Sequence, residues 1–322
     1  MNVSEGLDGL RRLAPGSAVS IGNFDGAHLG HRAIVAALDR LRPASPSGRV
    51  AVVTFEPHPL TVLKPEAAPP RLTPPALKRE VLAGLGVDDL VVLPPTPDVL
   101  ETTAEAFWRI LRDDARVAHL VEGDSFTFGK GRGGTIAKLR EWSAGTGVGV
   151  HVVEQVMVPL LDLQVVPVSS SLVRFLLAGG RVRDAAICLG RPYALEGPVV
   201  KGHQRGRTIG IPTANLNCDG QMVPADGVYA ARCIIRGTVY PVALSVGTMP
   251  TFGENQRQVE GYIVGFSGDL YGQTLRFDVL DWVREQWKLP GLDALKAQIA
   301  RDVEVVVRTV RTLDPARPIA VA

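Results

Sequence analysis

His28 and His31 flank a glycine in GNFDGAHLGH, residues 22 to 31, directly behind the short apolar run Ala18 to Ile21. The context reads as a strand ending, a glycine turn, and a helix beginning. Such a turn lets backbone N–H groups approach a ligand, and the next helix offers its positive end to an anion. Two imidazoles spaced i and i+3 can face that same anion. They can donate hydrogen bonds to a polyphosphate as charge develops on a leaving group. When one phosphate-bearing substrate attacks another, positioning and charge stabilisation suffice, with no covalent intermediate.

Two further stretches carry phosphate chemistry. VSSSLVR, Val168 to Arg174, sets three hydroxyls at a helix start ahead of an arginine, a pattern able to hold phosphates. GPVVKGHQRGRTIGIPTANL, Gly197 to Leu216, is rich in glycine and basic residues and ends in Pro-Thr-Ala-Asn. Its backbone amides can cradle phosphates, with Lys201, Arg205 or Arg207 nearby. The Thr213 hydroxyl and the Asn215 carbonyl are hard oxygen ligands suited to Mg²⁺ held together with ATP phosphates. The loop lacks GxxxxGK[ST], so it is no Walker A site. On its residues alone a basic solvated turn explains it equally well.

The elements that must position these groups alternate in the first half. The β-rich runs Ala18 to Ile21, Arg49 to Phe55, Asp89 to Leu93, Val117 to Val121 and Val148 to Val153 predict strands. Helices are expected to start near His31, Thr73, Thr103, Thr135 and Ser170. Thr102 with Glu105 is a candidate capping box. Alternating strands and helices predict an α/β domain with a parallel, Rossmann-like sheet. The Pro-rich patches from Pro65 to Pro75 and from Pro94 to Pro97 read as loops. Residues His119 and His151 read as satisfied turn residues.

After SSLVRFLLAGG the character changes. GVYAARCIIRG, TVYPVALSVG, VEGYIVGF and TLRFDVLDWV have the length and turn spacing of antiparallel strands, forming a small barrel or sandwich. Leu295, Ile299, Val303, Val306 and Val310 give the tail a helical apolar stripe. Trp282 and Trp287 read as packing for that helix. The boundary falls near Asp184 to Arg191, giving domains 1–186 and 187–322.

The chain is 322 residues long, with 35 Lys plus Arg against 33 Asp plus Glu, a net charge of +2. That balance gives no basic field of the kind nucleic acid or an anionic membrane needs. No apolar run approaches the ~20 residues of a membrane span, and no signal-peptide core opens the chain. Cys188, Cys218 and Cys233 form no CxxC and no metal spacing, and read as reduced structural residues. A cytoplasmic protein is expected, as a monomer or weak homo-oligomer.

GNFDGAHLGH resembles the HxGH signature of nucleotidyltransferases. In the form GxFDGxHxGH it is similar to the adenylyltransferase half of bacterial bifunctional riboflavin kinase/FAD synthetases. TFEPHP (Thr54 to Pro59), EGDSFTFG (Glu122 to Gly129) and VSSSLVR resemble that family's next motifs in order. GxPTAN, with LGRPY, PADGVYA, SVGTMPTF and DLYG around it, is similar to the riboflavin kinase motifs. Ser125 stands where the family usually has Asp or Asn, Ser171 replaces Thr, Gly265 replaces a frequent Asp and Leu289 a frequent Phe.

The resemblance implies two ATP-dependent reactions on flavins: riboflavin to FMN in the C-terminal half, FMN to FAD in the N-terminal half. For the transferase it implies ATP contacts at Gly22, Asn23, Phe24, Asp25, His28, His31, Ser170 and Arg174, and flavin contacts at His58, Ser125, Phe126 and Phe128. For the kinase it implies ATP contacts at Gly197, Lys201, Gly202, Arg207, Gly210, Pro212, Thr213 and Asn215. There Thr213 and Asn215 would hold Mg²⁺, Glu260 would be the catalytic base, and Arg284 would lie on the flavin side. Two alternatives share these motifs: a paralogue acting on a modified flavin, with Ser125 and Gly265 as adaptations, and a flavin-binding protein with one or both activities lost.

Overall fold

AVSI and VAVVTF are apolar on both faces, the pattern of parallel strands covered by helices on each side. The structure, a computed structural model, describes residues 1–42, 48–202, 206, 210–249 and 254–313. The chain begins with β1 (Asn2–Glu5), α1 (Gly6–Arg11), β2 (Ala18–Ile21), α2 (Leu29–Arg40) and β3 (Val50–Phe55). It continues with α3 (Leu60–Leu63), α4 (Pro75–Gly84), β4 (Asp89–Leu93), α5 (Pro97–Leu100), α6 (Ala104–Arg109) and β5 (His119–Gly123). A short hairpin, β6 (Thr127–Phe128) and β7 (Gly134–Thr135), leads into α7 (Ile136–Ser143), β8 (Gly149–Val153), β9 (Met157–Pro159) and β10 (Val165–Pro167).

Six strands lie in the order β1-β4-β3-β2-β5-β8, and every adjacent pair is parallel. The chain steps outward from β2 to β3 and β4, then crosses back to place β5 on the other side of β2. At that reversal the β2–β5 ladder ends at Val19–Leu120, where such sheets usually take their ligands. Side chains alternate strictly. Val19, Ile21, Ala51, Val53, Val91 and Leu93 bury against Leu10, Phe107, Trp108 and Leu111. Ala18, Val50, Val52 and Leu90 bury on the other face against Val35, Leu38 and Leu82.

Several local expectations change. β1 is a strand that the sequence did not suggest; it is short and mostly exposed, so it carries no apolar run. The fifth strand starts at His119, two residues later than expected. Residues His119 and His151 sit on β5 and β8 and not in turns, with ring nitrogens 3.2 Å apart. Helix α6 is capped by Thr103, whose Oγ1 accepts from Ala106 N–H, while the Thr102 hydroxyl donates to the Asp98 carbonyl. The Thr102–Glu105 box therefore does not form. Pro97 opens the one-turn helix α5 where a loop was expected, because proline's missing N–H costs nothing at a first helical position.

The second unit contains α8 (Ser170–Ala178), α9 (Val182–Leu189), β11 (Tyr193–Val200), β12 (Thr213–Leu216), β13 (Gly227–Ile235), β14 (Thr238–Met249), β15 (Glu254–Ile263), β16 (Thr274–Arg284) and α10 (Leu292–Leu313). Between barrel and sandwich the structure is a closed antiparallel barrel, β11-β12-β15-β14-β13-β16, sealed where β11 pairs with β16. Val306 and Val310 of α10 pack on Ala230, Val239 and Leu280.

Compact packing divides the chain into residues 1–158 with 165–169, and residues 159–164 with 170–322. Both α8 and α9 thus pack with the barrel, ahead of the 186/187 boundary read from sequence. Ala225 N–H donates to the Leu177 carbonyl, Arg183 pairs with Asp281 at 3.7 Å, and Gly180 lies under the Trp282 ring. Trp282 meets Tyr229 edge to face at 5.1 Å, as packing. Trp287 stays half exposed, with the Arg284 guanidinium over its ring.

Candidate active sites

The first site is built where β2 ends. Gly22 N–H still donates to Val53 of β3, and then the backbone turns through positive φ at Phe24, Gly26 and Ala27. Phe24 buries its ring in the core, 4.8 Å from the His31 ring, so its backbone and not its side chain is available to a ligand. Asp25 is also buried, and its carboxylate accepts from Leu72 N–H and Thr73 N–H. It ties the turn to a neighbouring loop.

His28 is the N-cap of α2. Its Nδ1 accepts from His31 N–H at 3.4 Å, which leaves the ring proton of the neutral form on Nε2 as a donor. The two imidazoles stack with centroids 3.7 Å apart. Gly30 permits this, since a Cβ there would lie 3.1 Å from His28 Cε1. The helix terminus and both rings therefore form one donor cluster.

Residues outside the expected set hold this turn. Thr54 Oγ1 and Lys78 Nζ donate to the Asn23 carbonyl at 2.9 and 3.3 Å, and Lys78 also pairs with Glu56. Lys78 is almost fully buried. A lysine inside an amphipathic helix gives no sequence signal of burial, so only the structure finds it. Arg32 Nε, in the first turn of α2, is buried with no hydrogen-bond partner among the described residues. His58, expected as a flavin contact, faces the turn: its Nε2 lies 3.1 Å from the Asn23 carboxamide, and its Nδ1 accepts from Leu60 N–H.

Ser125 is exposed, and Phe126 is half-buried and stacked on Phe128 at 5.5 Å. Phe128, expected as a flavin contact, is buried. Its ring is a core residue against Phe107 and Trp142, with Gly134 leaving it room across the β6–β7 pair. Ser170 and Arg174 lie in the first turns of α8, in the second compact unit.

The second site is set by strand register. Asn215 of β12 pairs directly with Glu260 of β15, which pairs in turn with Ser245 of β14. Thr213 lies two residues before Asn215 and so on the same face. Between them Ala214 is buried, and Gly261 faces Phe277 inside the barrel. Thr213, Asn215 and Glu260 are therefore an oxygen-bearing row on the outer face. A hydroxyl, an amide carbonyl and a carboxylate in one row fit a hard cation that brings its own phosphate ligands. Among the described residues no group of three His, Cys, Asp or Glu side chains is arranged to hold a metal without them. Gln258, two residues before Glu260, has a buried Oε1 with no hydrogen-bond partner among the described residues. It was not expected from the sequence.

The glycine-rich stretch divides in two. Gly202 packs on Asn215, where a Cβ would lie 2.5 Å from Nδ2. Gly210 takes a left-handed φ of +81° in a turn. Lys201 and Pro212 are exposed at its edges. Gly197 serves strand pairing, because a Cβ there would collide with the Asn217 carbonyl. Arg205 and Arg207 lie outside the described residues. Arg284, expected on the flavin side, lies at the end of β16. Its guanidinium is held by Asp302 of α10 at 2.7 to 3.1 Å and by the Glu285 carbonyl, so it anchors the helix to the barrel.

All three cysteines are free, and burial pushes Cys218 and Cys233 up to about 12. Among the described residues no helix is long and apolar enough to cross a membrane.

Comparison with known proteins follows the same division. Residues 11–171 match the FAD synthetase family and residues 189–310 the riboflavin kinase family. A Pseudomonas fluorescens protein named bifunctional riboflavin kinase/FMN adenylyltransferase is 36% identical over 307 residues, 94% of this chain and 96% of that protein. The proteins of that name from Escherichia coli K12 and Bacillus subtilis are 36% and 33% identical, over 89% and 91% of this chain and 90% and 92% of theirs. A solved structure described as a macrolide-efflux protein from Streptococcus pneumoniae superposes with a TM-score of 0.82 at 29% identity, covering 95% of this chain and 99% of that one.

Proposed function

This chain belongs to the bifunctional riboflavin kinase/FMN adenylyltransferase family, and from that premise we propose how its residues divide the two reactions. The enzyme phosphorylates riboflavin with ATP to give FMN and ADP, then transfers AMP from ATP to FMN, giving FAD and pyrophosphate. The observation that supports the division is that the His28–His31 turn and the Thr213, Asn215 and Glu260 row lie on different compact units. We assign adenylyl transfer to residues 1–186 and the kinase to residues 187–322.

In the kinase the riboflavin 5′-hydroxyl oxygen attacks the γ-phosphorus of ATP as the bond to ADP breaks. Glu260 takes the hydroxyl proton. Thr213 Oγ1 and Asn215 Oδ1 would hold Mg²⁺ carried with the nucleotide, and the bound ion would neutralise phosphate charge. In the transferase an FMN phosphate oxygen attacks the α-phosphorus as the bond to the β-phosphate oxygen breaks. The α2 N-terminus, His28 Nε2 and His31 stabilise the charge that passes to pyrophosphate. By motif position Ser170 and Arg174 grip phosphates, and Phe126 contacts flavin. Arg284 supports α10 in this reading. The enzyme works in the cytoplasm as a monomer or weak homo-oligomer, with small-molecule flavins and ATP as its partners.

Chromatography of products from riboflavin, ATP and Mg²⁺ tests the division. His31→Ala is expected to accumulate FMN with no FAD. Glu260→Ala is expected to make no FMN, yet still convert supplied FMN to FAD. If either substitution abolishes both steps, the assignment of separate sites is wrong.

A further inference from the structure

Hydrogen bonds from β2 alternate along the strand. Ala18 and Gly22 donate their N–H groups toward β3, so those of Val19 and Ile21 face β5. The ladder between β2 and β5 runs only through Ala18–His119 and Val19–Leu120. Beyond it the strands part, and the backbone of β5 gives Ile21 no partner. A side chain takes that place: Glu122 Oε1 accepts from Ile21 N–H at 2.8 Å, and Oε2 lies 3.2 Å from the Ser20 hydroxyl.

Other buried carboxyls in the molecule have evident structural partners. Asp184 and Asp302 pair with arginines, and Asp25 takes two backbone amides. Glu122 is 2% exposed, and no Lys, Arg or His side chain pairs with it among the described residues. Burial pushes its carboxyl well above the usual range, against the pull of its hydrogen bonds with Ile21 N–H and the Ser20 hydroxyl.

We propose that Glu122 is a positioning residue for adenylyl transfer: reaching from β5 across the opened crevice, it fixes Ile21 and so sets the direction in which Gly22 and Asn23 leave the sheet toward the nucleotide. This rests on the assignment of that turn to adenylyl transfer. Nothing in the motif GxFDGxHxGH identifies Glu122, which lies a hundred residues later in sequence. It acts through the backbone and touches no reacting atom.

The test uses the full chain, with conversion of FMN to FAD measured for kcat and for the KM of ATP. Riboflavin phosphorylation in the same preparation and a thermal melt report integrity. Glu122→Gln presents a carbonyl to Ile21 and an amide to Ser20, keeping both contacts; it is expected to stay within about 3-fold of wild type. Glu122→Val leaves the Ile21 N–H buried and unpaired and is expected to raise the KM of ATP by about 10-fold or more, with the kinase unchanged. Glu122→Asp, one methylene shorter, is expected to behave like valine, and it decides the matter if the valine variant fails to fold. Wild-type transferase kinetics in Glu122→Val or Glu122→Asp would overturn the proposal. A glutamine variant as poor as the valine one would do the same. His31→Ala is run alongside: if it leaves FAD formation intact, the assignment of the turn has failed, whereas loss in His31→Ala beside full activity in Glu122→Val sinks only the role of Glu122.

Discussion

Between Ile21 and Leu29 the backbone leaves its sheet and passes through left-handed conformations at Phe24, Gly26 and Ala27, whereas Thr213, Asn215 and Glu260 never leave a strand. The turn is costly by itself, about 1–2 kcal/mol for each non-glycine residue in that region. Buried groups offset the cost: Asp25 of the turn itself on the loop amides and, from elsewhere, Thr54 and Lys78 on the Asn23 carbonyl and Glu122 on Ile21 N–H. The barrel row needs no such props. Ladder hydrogen bonds fix its register, and the period of two puts its oxygens on one face. Of the two proposed phosphate sites, one depends largely on remote side chains and the other on how closely backbones approach.

That contrast is open to direct attack. The largest effect is expected from Asp25→Ala, which leaves the Leu72 and Thr73 amides buried without their acceptor and releases the turn. Initial rates should show FAD formation from FMN falling by about 100-fold, with FMN formation unchanged. Equal losses in both reactions would break the comparison. Next is Gly202→Ala, whose new methyl would press on the Asn215 amide. Overpacking of this kind costs about 1–3 kcal/mol, so the KM of ATP in the kinase should rise by about 10-fold, while FAD formation from FMN stays at wild type. An unchanged kinase would show that strand register, and not close approach, is all that the row requires.

How far each region was legible from sequence follows the same line. The strands AVSI, VAVVTF and DLVVL have the expected bounds or lie within one residue of them, because buried parallel strands are uniformly apolar and nothing competes with that pattern. The barrel strands announced themselves by β-branched runs between turns, but barrel and sandwich share that signature, and only the β11–β16 seam separates them. His28 and His31 were legible because their spacing and the glycine turn are local. Lys78 and Glu122 were not, because contacts across fifty or a hundred residues leave no local mark. The core packing of Phe128 and the Asp302 pairing of Arg284 were not legible for a related reason: a motif position does not say what a side chain packs against.

Arg284 sharpens the comparison further. If the barrel site rests on register alone, a support behind it should matter for stability and not for chemistry. Arg284→Met leaves the buried Asp302 without its cation, with only Gln298 Nε2 still donating to it, and urea unfolding should register a loss of about 3 kcal/mol. The KM of riboflavin at a temperature where the variant stays folded should match wild type. A raised KM with little loss of stability would return Arg284 to the flavin side of the site.

The smallest effect concerns the end of β5 opposite Glu122. His119, the first residue of that strand, has its pKa lowered by burial first and by the neighbouring His151 second. The folded state therefore resists a proton that the unfolded chain accepts near its ordinary value of 6.5. Below that pH the unfolded chain binds more protons, so stability falls as pH drops; well above it His119 contributes no slope. His119→Gln removes the titration, and urea midpoints of the first unit between pH 8 and 5.5 should fall less steeply than in wild type. Rates of FAD formation at pH 8 should not change, because the amino end of β5 lies away from the crevice that its carboxyl end borders. An activity loss there would mean that the turn after β2 is sensitive to the whole of β5, and that its dependence on remote side chains reaches further than the four groups that touch it.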